Sequence, residues 1–277
     1  LITGQNEFVG VIKIITLGLK YQYAMIRIMS TLCLVLASIT NLFAQSDAEL
    51  LSKAKKLQDE RSHEEALKVY KQIYSKDSSN VEVVSNMSLC FSRSGALMTA
   101  NSADQKKYYA EAKRLAKKSI AMNTQNANSH LAMAVALARE NENASSKTKI
   151  SNAKEIRSEC DLVFKYDPDN ATAFHIMGRW HRTFAGLNGF EKTMINTLYG
   201  GVPKGGTYAD ALEMFSKAIK IEPSLSMHVY ELAVTYYEMG QKENAKKFAN
   251  KVMDYPVKSK DDEKTRKECE KLLAKLK

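Results

Sequence analysis

Proline and glycine are scarce in this chain, at 4 and 12 of 277 residues. A sheet-rich protein of this length needs more turn punctuation, so the scarcity argues for helices. Cysteine is equally sparse. Cys33, Cys90, Cys160 and Cys269 are widely spaced, which argues against a short-spaced metal knuckle and against a disulfide framework. Cys90 and Cys160 fall at apolar helix positions and read as buried thiols. Long apolar runs are missing too. Phe8–Leu19 is broken by Lys13, and Leu32–Ile39 has 8 residues, too short to span a bilayer.

Catalytic and metal-binding patterns are also lacking. The five histidines are His63, His130, His175, His181 and His228, and no two form an i, i+4 metal pair. Gly200–Thr207 has the glycines of a phosphate loop but neither the preceding strand nor the spacing, so it reads as a linker. Asp167-Pro-Asp-Asn has acids without the ligand periodicity of a calcium loop. The expectation is a protein that is not an enzyme and holds no cofactor or metal. The formal charge of +10 is interspersed with acids, with no recognition module and no aromatic–basic interleaving, so nucleic acid is not expected as a partner. The charge favours acidic partners instead.

The first 45 residues differ from the rest. From Met25 a short basic start leads into the apolar run, and Leu42-Phe-Ala-Gln45 offers a cleavage site after Ala44. This is the layout of a secretory signal peptide over 25–44. Its end resembles those of Bacteroidetes-type bacteria, which implies export to the periplasm or outer envelope. The alternative is an uncleaved segment 25–44 acting as a membrane anchor, the one route to a membrane in this chain. Residues 1–24, upstream of Met25, read as a disordered extension.

What the chain does have is a paired-helix register that recurs five times after residue 46. Its copies are Ala66, Tyr70, Ile73; Ala112, Ala116, Ser119; Ile156, Cys160, Val163; Ala211, Phe215, Ala218; and Ala245, Ala249, Val252. Residues three and four apart share one helix face. Small residues at Ala54, Ser88, Ala134, Gly178 and Ala233 let paired helices approach closely. Such a pair cannot bury its apolar face alone, so neighbours must stack into an all-α superhelix. The expected organisation is a single repeat domain over 45–277. Its units are 47–80, 81–126, 127–170, 171–225 and 226–258, followed by an extra C-terminal helix at 259–276.

The pattern resembles the tetratricopeptide repeat, whose unit is about 34 residues. The first unit has that length, while later unit starts are 46, 44 and 55 residues apart. The excess is expected as insertions between paired helices, at Ala96–Lys107, Asn141–Ser151 and Gly186–Thr207. A narrower resemblance covers Phe174–Leu276. Gly178-Arg-Trp180, Phe190-Glu-Lys192, Asp210-Ala-Leu212, Glu222-Pro223, Tyr236-Tyr-Glu-Met-Gly240 and Tyr255-Pro256 resemble the regulator of microtubule dynamics family. That resemblance implies the fold. An exported chain would not meet microtubules, so the family's name does not imply this chain's activity.

In this repeat class the first helix of each unit lines a concave groove. By register the lining is Asn86 and Arg93, then Arg139, then His175, Arg179 and Arg182, then Tyr230 and Tyr237, with Glu231 beside them. Four arginines on one lining suit a peptide carboxylate, which a guanidinium grips with two parallel bonds. The expected function is a non-enzymatic adaptor or scaffold holding an extended or acidic peptide. The alternatives are a structural subunit of an envelope or secretion assembly, or a membrane-anchored homologue of the microtubule-dynamics family. The arginines have an alternative role too, pairing with acids on adjacent helices such as Glu140 or Glu213. Trp180 is expected to wedge the fourth unit against the 186–207 insertion.

Overall fold

A computed structural model describes residues 25, 47–142, 144–199, 201 and 205–277. The expected extension 1–24 and signal segment 25–44 lie outside the described residues, Met25 excepted. The chain divides into two compact units, 1–50 and 51–277, and the helical stack belongs to the second. Among the described residues the structure is all-α, with no strand.

Residues 47–59 form α1, of which Leu51 onward belongs to the second unit. There follow α2 (His63–Lys76), α3 (Val81–Gly95), α4 (Ala103–Met122), α5 (Ala127–Glu140), α6 (Ser146–Tyr166) and α7 (Ala171–Ala185). A short α8 (Gly189–Tyr199) precedes α9 (Tyr208–Ile221), α10 (Ser226–Glu238), α11 (Lys242–Met253) and α12 (Lys260–Lys275). The packed pairs are α3 with α4, α5 with α6, α7 with α9, and α10 with α11, and successive pairs stack on one another.

Local chemistry fixes where these helices start. Asn80, Asn126 and Asn170 each accept a hydrogen bond from the backbone N–H three residues on, opening α3, α5 and α7. Ser102, Ser145, Thr207 and Ser259 do the same for α4, α6, α9 and α12. Each cap satisfies one backbone donor that would otherwise be orphaned.

The caps also correct the expected insertions. At Ala96–Lys107 and Asn141–Ser151 about half of the segment is helix, because Ser102 and Ser145 start α4 and α6 at 103 and 146. These helices reach 20 and 21 residues. Only Gly186–Thr207 is a true insertion, and it carries α8.

Close approach at one small residue per first helix sets the packing. Ser88 Oγ donates to the carbonyl of Ala112 at 2.7 Å. Ala54, Ala134 and Ala233 are fully buried. At Gly178 an added Cβ would sit 2.5 Å from the Phe215 ring, which is itself fully buried. Tyr70, Leu115, Leu137 and Val163 fill the interior alongside, and each such side chain contributes about 2 kcal/mol. Trp180 is buried, but its Nε1 donates to the carbonyl of Ala153 at 2.9 Å. It therefore ties α7 to α6, and Ile195 of the insertion joins the same apolar cluster. Cys90, Cys160 and Cys269 are buried free thiols.

Gly178→Ala tests the tight approach. The substitution gains helix propensity but drives a methyl into an immobile ring, for a net loss of about 1–2 kcal/mol. Urea denaturation should show the midpoint fall, and an unchanged midpoint would refute the tight α7–α9 contact.

Candidate functional site

The first helices α3, α5, α7 and α10 carry the residues expected to line a groove. The structure shows how many of them are already engaged. Asn86 is buried, and its Oδ1 accepts from Gln58 Nε2 at 3.3 Å and Asn128 Nδ2 at 3.2 Å. Its Oδ1 staples α1, α3 and α5 together. Tyr230 and Tyr237 pack partly buried in the cluster that joins α10, α11 and α12. The extra terminal helix packs against α10 at this end of the lining.

The arginines divide sharply. Arg182 Nη1 bonds Glu231 Oε2 at 2.5 Å and the Glu231 carbonyl at 3.2 Å, and its Nε lies 3.4 Å from Glu238. Arg179 Nε lies 3.6 Å from the other Glu231 oxygen, with its side chain half exposed. Arg139 pairs with Glu142 at 2.8 Å. Pairing with acids of the chain is thus the role of three of the four, through Glu142, Glu231 and Glu238. Glu140 and Glu213 are occupied elsewhere, by Lys113 at 2.6 Å and Lys217 at 2.7 Å. The expected lining of four open arginines is corrected accordingly. Arg93, half buried on α3, forms no ion pair or hydrogen bond among the described residues. It lies close enough to Glu222 and Asp261 to help hold both carboxyls below their ordinary range.

At the centre is a buried polar chain. His175 Nδ1 and His228 Nδ1 are 3.0 Å apart, so one donates and the other accepts. His175 Nε2 faces Glu231 at 3.9 Å, and His228 Nε2 faces Glu222 at 3.6 Å. At that separation the buried His228 Nε2 has no hydrogen-bond partner. Burial pushes the His175 pKa down to about 3, although Glu231 opposes the shift. Burial would raise Glu231, but Arg182, Arg179 and His175 outweigh it and hold the carboxyl down at about 2. His181, also buried, is pushed down by burial. No group of three or more His, Cys, Asp or Glu suited to a metal occurs among the described residues. The arrangement has no nucleophile paired with a base. It is an electrostatic frame.

Residues outside the expected lining matter as much. Arg61 and His63 at the α1–α2 turn reach Asp262 and Asp261 on α12, at 2.6 and 2.8 Å. Nothing in the sequence spacing pairs groups about 200 positions apart.

The buried chain makes stability acid-sensitive with a defined sign. The folded state keeps His175 neutral, whereas the unfolded chain protonates it near 6.5, so stability is lost as pH falls from about 6.5 toward 3. Glu231 has a depressed folded value, so its contribution is full above about 4.5 and lost as pH falls toward 2. Thermal melting between pH 7.5 and 4 should show a falling midpoint, with His175→Asn flattening the limb above pH 4.5. A wild-type midpoint flat across that range would contradict the buried neutral histidine. Glu231→Gln should cost about 3 kcal/mol, because it strands Arg182 in a buried site.

Comparison with known proteins places this frame. The family model described as regulator of microtubule dynamics protein 1-3 matches residues 50–277. Regulator of microtubule dynamics protein 1 of Bos taurus is 28% identical over 184 residues, covering 66% of this chain and 58% of its own length. Regulator of microtubule dynamics protein 2 of Mus musculus is 29% identical over 180 residues, covering 64% and 44%. The chain thus spans about half the length of the curated relatives it matches. A thermophilic tetratricopeptide-repeat protein of Thermus thermophilus has a crystal structure that superposes with a TM-score of 0.57. The two are 14% identical, over 82% of this chain and 99% of that one. The shared fold is a tetratricopeptide-like superhelix, a non-catalytic scaffold class that generally holds proteins or peptides.

Proposed function

This chain belongs to the regulator of microtubule dynamics protein 1-3 family, and we propose that it is a binding scaffold for an extended, acidic peptide. The supporting observation is Arg93. A half-buried guanidinium without a carboxylate in contact is the natural place for a partner's carboxylate to land. Half-exposed Arg179 on α7 offers a second point, since Glu231 already spends its closer bond on Arg182. The internally paired residues Asn86, Arg139, His175 and Arg182 shape the face, and Tyr230 and Tyr237 bound it beside α12.

The location proposed with this function is the bacterial periplasm or outer envelope. Its support is the layout of residues 25–45 in the sequence. A second reading is favoured by the family itself. The relatives are named for regulating microtubule dynamics, and a chain retaining 25–44 as an anchor would suit that setting. Intact mass of the protein recovered from its native cells separates the two. A mature N-terminus at Gln45 supports export, and a retained 25–44 segment supports the anchored reading.

Fluorescence polarisation with labelled acidic, neutral and basic peptides tests the groove. Acidic peptides should bind best, and more weakly as salt rises from about 50 to about 200 mM. Arg93→Ala should weaken them about tenfold, as expected for loss of a charge-assisted bond of about 1.5 kcal/mol. Arg179→Ala should weaken binding with little change in melting temperature, because its exposed ion pair contributes at most about 1 kcal/mol. Equal affinity for acidic and basic peptides would sink the reading.

A further inference from the structure

The terminal helix α12 has two unlike ends. Its C-terminal half packs on α10 and α11 through Cys269 and Leu272, in one apolar cluster with Val229, Ala249 and Val252. Its first turn carries Asp261, Asp262 and Glu263, and this end reaches back to the start of the stack. Arg61 Nη1 donates to Asp262 Oδ1 at 2.6 Å. His63 Nε2 contacts Asp261 Oδ2 at 2.8 Å. Lys264 Nζ donates to the carbonyl of Ala96 at 2.8 Å. Burial would raise the partly buried Asp261 carboxyl, but the bond to His63, with Arg93 and Arg61 behind it, holds it below its ordinary value.

The receiving corner is built for this. His63 is almost wholly buried, and its Nδ1 has no hydrogen-bond partner among the described residues. Arg61 adopts φ 59°, the left-handed region that favours glycine, yet it is an arginine. A glycine would make this turn without strain, and the side chain that replaces it is the one that bonds Asp262. One guanidinium and an imidazole thus grip two neighbouring carboxylates of one segment, with the Arg93 charge near Asp261.

We propose that the acidic first turn of α12 is a built-in ligand: it occupies an acid-binding corner formed by Arg61 and His63 beside Arg93, and a partner's acidic segment competes with it for that corner. This inference rests on the peptide-scaffold reading and names its regulation. The chain's own segment shows the chemistry a partner must match, neighbouring carboxylates at a helix start. The corner's contacts are polar, so displacement leaves the apolar anchoring of α12 on α10 and α11 intact. Access to His63 and Arg61 is then set by the competition between the Asp261–Asp262 pair and the incoming carboxylates.

The test uses the full chain and a labelled synthetic peptide copying residues 258–276 as probe. It compares the unaltered protein with Asp261→Asn and with Arg61→Gly, reading probe affinity and the amide exchange of residues 260–266. Asp261 is not the capping residue of α12, so its helix start survives. Asp261→Asn should bind the probe about tenfold more tightly and exchange faster at 260–266. Arg61→Gly should also exchange faster but should gain no affinity, because it loses part of the corner. If acidic peptides bind and Asp261→Asn changes neither affinity nor exchange, the built-in ligand is overturned and the scaffold reading stands. If exchange quickens while none of the three chains binds any acidic peptide, the scaffold reading fails. The α12 contact is then a structural tie, not a ligand.

Discussion

The tight approach of paired helices at a single small residue is the constraint from which the rest of this structure follows. Ala54, Ser88, Ala134, Gly178 and Ala233 occupy the same place in successive first helices. At Ser88 and Gly178 the approach is seen directly, in a hydrogen bond to a backbone carbonyl and in a Cβ-sized gap closed by Phe215. A helix held that closely on one side must turn its opposite side away from its partner. That opposite side is where Asn86, Arg93 and Arg139 fall, whereas Arg182, four residues after Gly178, shares its face and lies over the Phe215 ring. The concave face is therefore polar because the convex and inter-helix faces have used the apolar residues.

Crowding charged residues onto one curved face raises a problem of its own. Guanidiniums that face inward lose water and need partners. The chain answers at three of four places with its own acids. Glu231 is the most heavily used, with Arg182 on one oxygen, Arg179 on the other and His175 nearby. Its carboxyl stays ionised despite complete burial because two fixed cations outweigh the loss of hydration. The groove is thereby shaped as much by internal neutralisation as by vacancy. Polarity on a lining does not by itself mean availability.

How much of this was legible in the sequence depended on distance along the chain. The register Ala211, Phe215, Ala218 lies within two turns of one helix, so its burial could be read directly. The same holds for the asparagine caps, which sit three residues from the N–H they receive. The early starts of α4 and α6 were obscured because residues 103–107 and 146–149 are polar and mimic a loop. Only the caps Ser102 and Ser145 reveal them as the solvated face of a longer helix. The arginine partners were harder. Glu231 was visible as a lining residue, but its pairing with Arg182 depends on how α10 settles beside α7. The Arg61–Asp262 tie lay beyond reach, since the curvature of the whole stack decides which distant residues meet.

That tie also explains a local irregularity. An L-residue at positive φ costs about 1 kcal/mol relative to glycine, and turns of the α1–α2 type are freely made by glycine. Arg61 accepts the strain and places its guanidinium on Asp262, which is almost wholly buried. Asp262 at the same time receives the backbone N–H groups of Lys258 and Ser259. One carboxylate thus starts α12 and ties it to the first helical pair. A change that frays the start of α12 would loosen the tie, and a change that removes Arg61 would keep the Ser259 cap while letting the first turn open more often. The two ends of the stack are coupled through that residue together with the His63–Asp261 and Lys264–Ala96 contacts.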